Sequence, residues 1–140
     1  MPRLVIHRRL VWVAVRVWLV FLAFAFVNGL FRQRVLEPEL GPEIAHVLST
    51  TTLAGFILIV SLFVFAVRER SLPPSVLLAI GAFWAALTAL CELGIGLVRG
   101  LPATELFSDY DVSRGRLFGL VILAELLSPL LAGSLRRPCR

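Results

Sequence analysis

Charged residues are scarce in this chain, and one common charged residue is missing altogether. Only 16% of the 140 residues are charged, whereas soluble domains carry about 25%. All fourteen basic residues are arginines, and the sequence contains no lysine. Hydrophobic residues make up 59% of the chain, and the mean hydropathy is +0.90. A soluble fold of this composition would expose much apolar surface to water, so the composition predicts a membrane protein.

Cysteine and histidine are also scarce, which argues against several kinds of site. Cys91 and Cys139 form no CxxC, so a thiol-redox centre or a thiolate metal site has little support. His7 and His46 are predicted to lie at opposite membrane faces, which argues against haem. A metal needs three or four ligands, and although acidic residues could join His46, no tight spacing indicates such a group. We predict no metal and no cofactor.

Four apolar runs are long enough to cross a bilayer, which takes about 20 residues. Backbone polar groups in lipid must be satisfied within the segment, so runs of this length form helices. We therefore predict an all-α polytopic membrane protein, with one membrane domain over residues 1–140 folded as a four-transmembrane-helix bundle. The predicted spans cover about 10–31, 44–67, 76–98 and 117–135.

The first run also has features of a cleaved signal peptide. A basic start precedes it, and Ala23-Phe24-Ala25 resembles a cleavage site. However, Arg16 interrupts the apolar region, and the run is long enough to span a membrane. The favoured interpretation is therefore a retained first helix, with cleavage as the alternative.

The arginines are distributed unequally between the two sides of the predicted membrane. Eight lie on the side of both termini and five on the other side, so the positive-inside rule places both termini in the cytoplasm. Because they lie at the ends of apolar runs and form no single patch, the net charge of +5 does not indicate a nucleic-acid partner. The arginines on the side of both termini are Arg3, Arg8, Arg9, Arg68, Arg70, Arg136, Arg137 and Arg140. Those on the other side are Arg32, Arg34, Arg99, Arg114 and Arg116.

Four ionisable side chains, Arg16, His46, Glu92 and Glu125, fall within the predicted spans. Each ionised group costs about 2.5–3.5 kcal/mol at the centre of a span, so such groups are expected to face the interior. Glu92 shares a helical stripe with small residues, which let a neighbouring helix approach closely. The stripe comprises Gly81, Ala85, Thr88, Glu92 and Gly96.

Polar residues gather near the predicted outer ends of the helices, and we predict that they form one cluster. Two interpretations remain open: a hydrogen-bonded structural plug, or a pocket that opens outward. Both place Glu92 within hydrogen-bonding reach of Asn28, Arg32, His46 or Arg116. The predicted cluster comprises Asn28, Arg32, His46, Ser49, Thr88, Glu92, Asp109, Tyr110 and Arg116.

A second polar group is predicted from the other half of the membrane. Arg16 and Glu125 both lie within the cytoplasmic half of their spans. Because buried charges are normally paired, we predict an intramembrane ion pair between them. The alternative is a proton or cation path that runs from Glu92 to Glu125.

The sequence resembles a group of small bacterial four-span membrane proteins that are known only as hypothetical proteins. The resemblance covers most of the chain, implies a bacterial cytoplasmic membrane and implies no particular activity. Its motifs are Asn28-Gly29-x-x-Arg32, Ala45-His46-x-x-Ser49, Trp84-x-x-x-Thr88-x-x-x-Glu92-x-x-x-Gly96, Asp109-Tyr110 and Gly115-Arg116-Leu117.

Two function classes follow from these patterns. The first is a non-enzymatic accessory, binding or transport module whose partners are the lipid bilayer and either further copies of itself or a larger membrane complex. The second is a membrane enzyme that acts at the outer interface on a lipid-linked or amphipathic substrate, with His46 and Glu92 as general acid and base. The first is favoured, because the chain shows no nucleophile–base spacing, phosphate-binding loop or metal signature; no catalytic residue is assigned.

Overall fold

The computed structural model describes residues 2–68, 72–98, 100 and 118–135, and these are almost entirely helical. The described part of the chain contains no strand, which confirms the predicted all-α fold. Its elements are α1 (Pro2–Phe31), a π-helical segment (Arg32–Leu36), the short α2 (Glu37–Leu40), α3 (Pro42–Ser61), a second π-helical segment (Leu62–Arg68), α4 (Pro74–Val98) and α5 (Phe118–Ser134).

Three helical stretches are long and apolar enough to cross a membrane. They cover Arg8–Leu40, Pro42–Ala66 and Pro74–Ile95, and they contain most of the first three predicted spans. The fourth predicted span, 117–135, coincides with α5, which is apolar but has only 17 residues.

Proline and glycine determine where the helices begin. Gly41 has φ 81°, a left-handed conformation that glycine adopts without steric cost, and it separates α2 from α3. Pro42 then opens α3 and Pro74 opens α4, where a missing backbone N–H costs no helical hydrogen bond. Pro129 lies inside α5, within the fourth predicted span.

The long helices share one apolar core, to which α1, α3, α4 and α5 all contribute. α5 packs against both α4 and α3, and α1 contacts α3 and α4. Trp84 of α4 is fully buried, and its ring lies edge-on to Phe21 of α1, with 5.0 Å between the ring centroids. This arrangement brings polar groups of α1, α4 and α5 together inside the core.

α4 and α5 approach most closely beside Gly81. A Cβ atom added there would overlap the backbone carbonyl of Leu126 and would lie 3.0 Å from the carbonyl oxygen of Glu125. Gly81 belongs to the small-residue stripe that was predicted to admit a neighbouring helix. The neighbour is α5, so the same contact places Glu125 next to the stripe.

Candidate functional site

Polar residues at one end of α1 and α3 form a first group, here called the α1–α3 cluster: Asn28, Arg32, Glu37, His46 and Ser49. The Nδ2 atom of Asn28 donates to the backbone oxygen of Ser49 at 2.9 Å and to its Oγ at 2.8 Å. The structure therefore brings together four of the residues predicted for the outer cluster.

Arg32 occupies the centre of the α1–α3 cluster. Its Nη1 lies 2.8 Å from Nδ1 of His46, and because a guanidinium group can only donate, Nδ1 must be the acceptor. Its Nε lies 3.5 Å from Oε1 of Glu37 and has no hydrogen-bond partner, so this contact is an ion pair without a well-formed hydrogen bond. These contacts link the π-helical segment after α1 to α2 and α3.

A second group lies deeper in the core and consists of Trp18, Thr88 and Glu125. The Nε1 of Trp18 donates to Oγ1 of Thr88 at 3.0 Å, and Oγ1 of Thr88 donates to Oε1 of Glu125 at 2.8 Å. The indole N–H of Trp18 can only donate, so Oγ1 of Thr88 accepts from it and keeps its own hydrogen for the bond to Glu125. Thr88 thus belongs to this inner group, although the sequence predicted it in the outer cluster.

Glu125 is almost completely buried, with 2% of its surface exposed. Its Oε1 accepts from Thr88, whereas its Oε2 is buried and has no hydrogen-bond partner among the described residues. A buried polar atom without a partner is uncommon and is often found at a functional position.

The predicted ion pair between Arg16 and Glu125 is wrong. Arg16 is exposed on α1, whereas the buried face of that helix contains Ala14, Trp18 and Phe21. Arg16 is two residues from both Ala14 and Trp18, which places it about 200° around the helix from each. It therefore points away from the buried face of α1, and Oε1 of Glu125 accepts a hydrogen bond from Thr88 instead.

A cavity of about 100 Å³ adjoins Glu125, and all four long helices line it. Glu92 and Cys91 of α4 line it with Thr88, so two glutamates, a cysteine and a threonine are among its lining residues. We call it the carboxyl cavity. Its other lining residues are apolar: Phe21, Leu22, Ala25, Leu53, Ile57, Ile95 and Val121.

The predicted outer cluster is thus divided in the structure. Asn28, Arg32, His46 and Ser49 belong to the α1–α3 cluster, whereas Thr88 and Glu92 line the carboxyl cavity. Asp109, Tyr110 and Arg116 lie outside the described residues. Glu92 and Glu125 line the same cavity, and the proton or cation path between them stays a prediction.

Sequence reasoning missed several buried polar contacts. The predicted polar residues did not include Trp18. Its indole N–H lies in an apolar run and needs an acceptor, and this requirement could have identified it. The Nε1 of Trp84 donates to the backbone oxygen of Ala14 at 2.8 Å. The hydroxyl groups of Ser61 and Ser128 lie 2.8 Å apart and join the end of α3 to α5. These contacts fix the helices that line the cavity.

Comparisons with protein-family models, curated proteins and solved structures gave no match. The function proposed below therefore rests on the geometry of the chain itself.

Proposed function

We propose that the chain is a multi-pass protein of a bacterial cytoplasmic membrane that acts as a non-enzymatic binding or transport module, alone or as an oligomer. Three helices long enough to cross a membrane support the membrane location. Their outward surfaces are also apolar, since Phe26 is 69% exposed, Ile59 67% and Leu90 64%. Apolar surface of this extent is costly in water but favourable in lipid.

α5 is the proposed fourth span of the bundle. Its 17 residues extend roughly 26 Å at 1.5 Å per residue, close to the hydrocarbon thickness of about 30 Å. Four crossings place both termini on one side, and the arginine distribution favours the cytoplasm for that side.

Reporter fusions test this topology. A reporter that is active only in the cytoplasm should work when fused after Arg140 and should be inactive when inserted at Gly41 between α2 and α3. A reporter that is active only outside the cytoplasm should show the reverse pattern. Activity of the cytoplasmic reporter at both positions would contradict an even number of crossings.

The proposed binding site is the carboxyl cavity, and the observation that carries this proposal is the buried Oε2 of Glu125. A carboxyl oxygen without a partner is costly in a low-dielectric interior, and a structural role alone would favour a complete set of hydrogen bonds. A bound ligand would supply the missing partner. Glu125 also lines the cavity, whose volume a ligand can occupy.

The membrane-enzyme alternative has weaker support. It assigns His46 and Glu92 as general acid and base, and both must then reach one substrate. Nδ1 of His46 accepts from Arg32 in the α1–α3 cluster, whereas Glu92 lines the carboxyl cavity, whose lining does not include His46. The geometry therefore favours a binding or transport module.

Replacement of Glu125 by Gln tests the proposed site, because Gln keeps the shape but removes the carboxylate. The purified full chain in detergent should be screened for small molecules and ions that raise its melting temperature. At least one compound should stabilise the wild-type protein and lose its effect in Glu125→Gln.

The matched control is Glu39→Gln in α2, because Glu39 is exposed and lies outside the cavity. This variant should respond as the wild type does. If every stabilising compound acts equally on Glu125→Gln and the wild type, the carboxyl cavity is not the binding site.

A further inference from the structure

A second cavity lies between the first halves of α1 and α4, and we call it the α1–α4 groove. Leu10, Val11 and Ala14 of α1 line one side, and five residues of α4 from Ser75 to Phe83 line the other. Its volume is about 360 Å³, and it shares no lining residue with the carboxyl cavity. All of its lining residues except Ser75 are apolar, so the groove favours a hydrocarbon occupant.

Two hydrogen bonds show how α1 and α4 are aligned beside the groove. Nε1 of Trp84 donates to the backbone oxygen of Ala14, and Nε1 of Trp18 donates to Oγ1 of Thr88. In both pairs the residue of α4 lies 70 positions after the residue of α1, so the two helices run in the same direction. The contact between Trp84 and Ala14 lies at the inner end of the groove, and the Ser75 end lies on the membrane side where both helices begin.

The end of the groove where both helices begin carries positive charge. Arg8 is exposed and lies one helical turn before Val11, on the same side of α1. Residues 2–14 and 72–83 include three arginines and no Asp or Glu, and the connection before α4 adds two arginines and one glutamate. Trp12, one turn after Arg8, is 59% exposed, and tryptophan in membrane helices is enriched at the level of the lipid headgroups. The groove therefore begins near a basic headgroup level and continues into the apolar part of the span.

The length of the groove distinguishes a lipid from a partner helix as its occupant. From Ser75 to Phe83 the groove extends roughly 12 Å at 1.5 Å per residue. A partner helix that crosses the hydrocarbon core of about 30 Å would leave more than half of its length outside the groove. A single acyl chain can follow the groove inward from the headgroup level. An anionic headgroup complements the positive charge at the entrance.

We infer that the α1–α4 groove binds one phospholipid with an anionic headgroup. Its phosphate lies beside Arg8, and one acyl chain extends along the groove towards Trp84. This inference rests on the proposed membrane location and does not depend on the carboxyl cavity. The apolar lining holds the acyl chain of any phospholipid, whereas Arg8 favours a headgroup with a net negative charge. A preference for anionic over zwitterionic lipid therefore measures the contribution of Arg8.

Native mass spectrometry of the detergent-purified full chain tests the headgroup, with phosphatidylglycerol and phosphatidylcholine of identical acyl chains as probes. The wild type should bind one phosphatidylglycerol molecule more tightly than phosphatidylcholine. Arg8→Gln should lower the affinity for phosphatidylglycerol about fivefold, which corresponds to about 1 kcal/mol, and leave the affinity for phosphatidylcholine unchanged. The matched control is Arg16→Gln, because Arg16 is also exposed on α1 but lies about 200° around the helix from Ala14. This control should keep the affinity of the wild type.

A second pair of variants tests whether the acyl chain lies in the groove. Ala79 lines the groove and is exposed, so Ala79→Phe would fill the groove without changing charge or disturbing the core. The affinity for both lipids should fall at least about tenfold, since loss of apolar contact by two methylene groups already gives that factor. Ala82→Phe is the control, because Ala82 is exposed on the same helix but does not line the groove. It should bind both lipids as the wild type does.

Each contrary result overturns a stated part of the inference. Equal affinity of the wild type for the two lipids would overturn the anionic headgroup. Equal losses in Arg8→Gln and Arg16→Gln would show that the phosphate does not lie beside Arg8. Wild-type affinity in Ala79→Phe, or an equal loss in Ala82→Phe, would place the lipid outside the groove. None of these results bears on the compound screen of the proposed function, because the groove and the carboxyl cavity share no lining residue.

Discussion

Replacement of Gly81 by Ala is expected to destabilise the protein by about 3 kcal/mol, near the upper end of the usual cost of overpacking a core. The added Cβ would overlap the backbone carbonyl of Leu126, and a backbone atom cannot move aside as a flexible side chain can. α4 and α5 would have to separate, and this separation would also weaken the contact between Thr88 and Glu125. Unfolding in detergent, followed by tryptophan fluorescence, measures the effect.

Gly55 of α3 provides the matched control. A Cβ atom at Gly55 would meet no atom within 4 Å outside its own helical turn. Because alanine favours helix more than glycine does, Gly55→Ala should be neutral or should stabilise the protein by up to about 1 kcal/mol. Equal effects at Gly81 and Gly55 would show that α4 and α5 do not approach closely at Gly81.

Much of the fold was predictable from the sequence because helix formation in an apolar run depends on local properties. The length of each run predicted the helices, and the prolines and Gly41 marked several of their ends. The small-residue stripe of α4 predicted a close neighbour, which Gly81 has in α5. These features need no knowledge of how the helices are arranged around one another.

The inner polar group was harder to predict because it depends on how each helix is rotated about its axis. Arg16 and Glu125 fall at similar predicted depths, and depth alone suggested a pair. The rotation of α1 directs Trp18 towards Thr88 and leaves Arg16 exposed. The buried residues Ala14, Trp18 and Phe21 lie at spacings of three and four, but in an apolar helix many other positions satisfy the same spacing.

The outer cluster illustrates a second limit. Asn28 contacts Ser49 and Arg32 contacts His46, because the chain reverses direction at Gly41 and brings these residues to similar depths. Glu92 was placed with them from its distance to the end of α4. The structure places it along the wall of the carboxyl cavity, a position that its depth along α4 did not predict.

Replacement of Thr88 by Val is expected to destabilise the protein by about 2 kcal/mol. Valine has nearly the shape of threonine but lacks the hydroxyl group, so Trp18 loses its acceptor and Oε1 of Glu125 loses its donor. Hydrogen bonds between membrane helices contribute about 0.6 kcal/mol on average and up to about 1.7, and two are lost together. The loss should appear in detergent unfolding and as a shift in the fluorescence of Trp18.

Thr88→Ser is the control, because serine keeps the hydroxyl group and removes only a methyl group, at a cost of about 0.8 kcal/mol if that group is buried. The double variant Trp18→Phe with Thr88→Val removes both members of one hydrogen bond. If the two residues are coupled, this variant should be more stable than the sum of the single effects predicts. If Thr88→Val is no less stable than Thr88→Ser, or the double variant is simply additive, the hydroxyl group of Thr88 does not join α1 to α5.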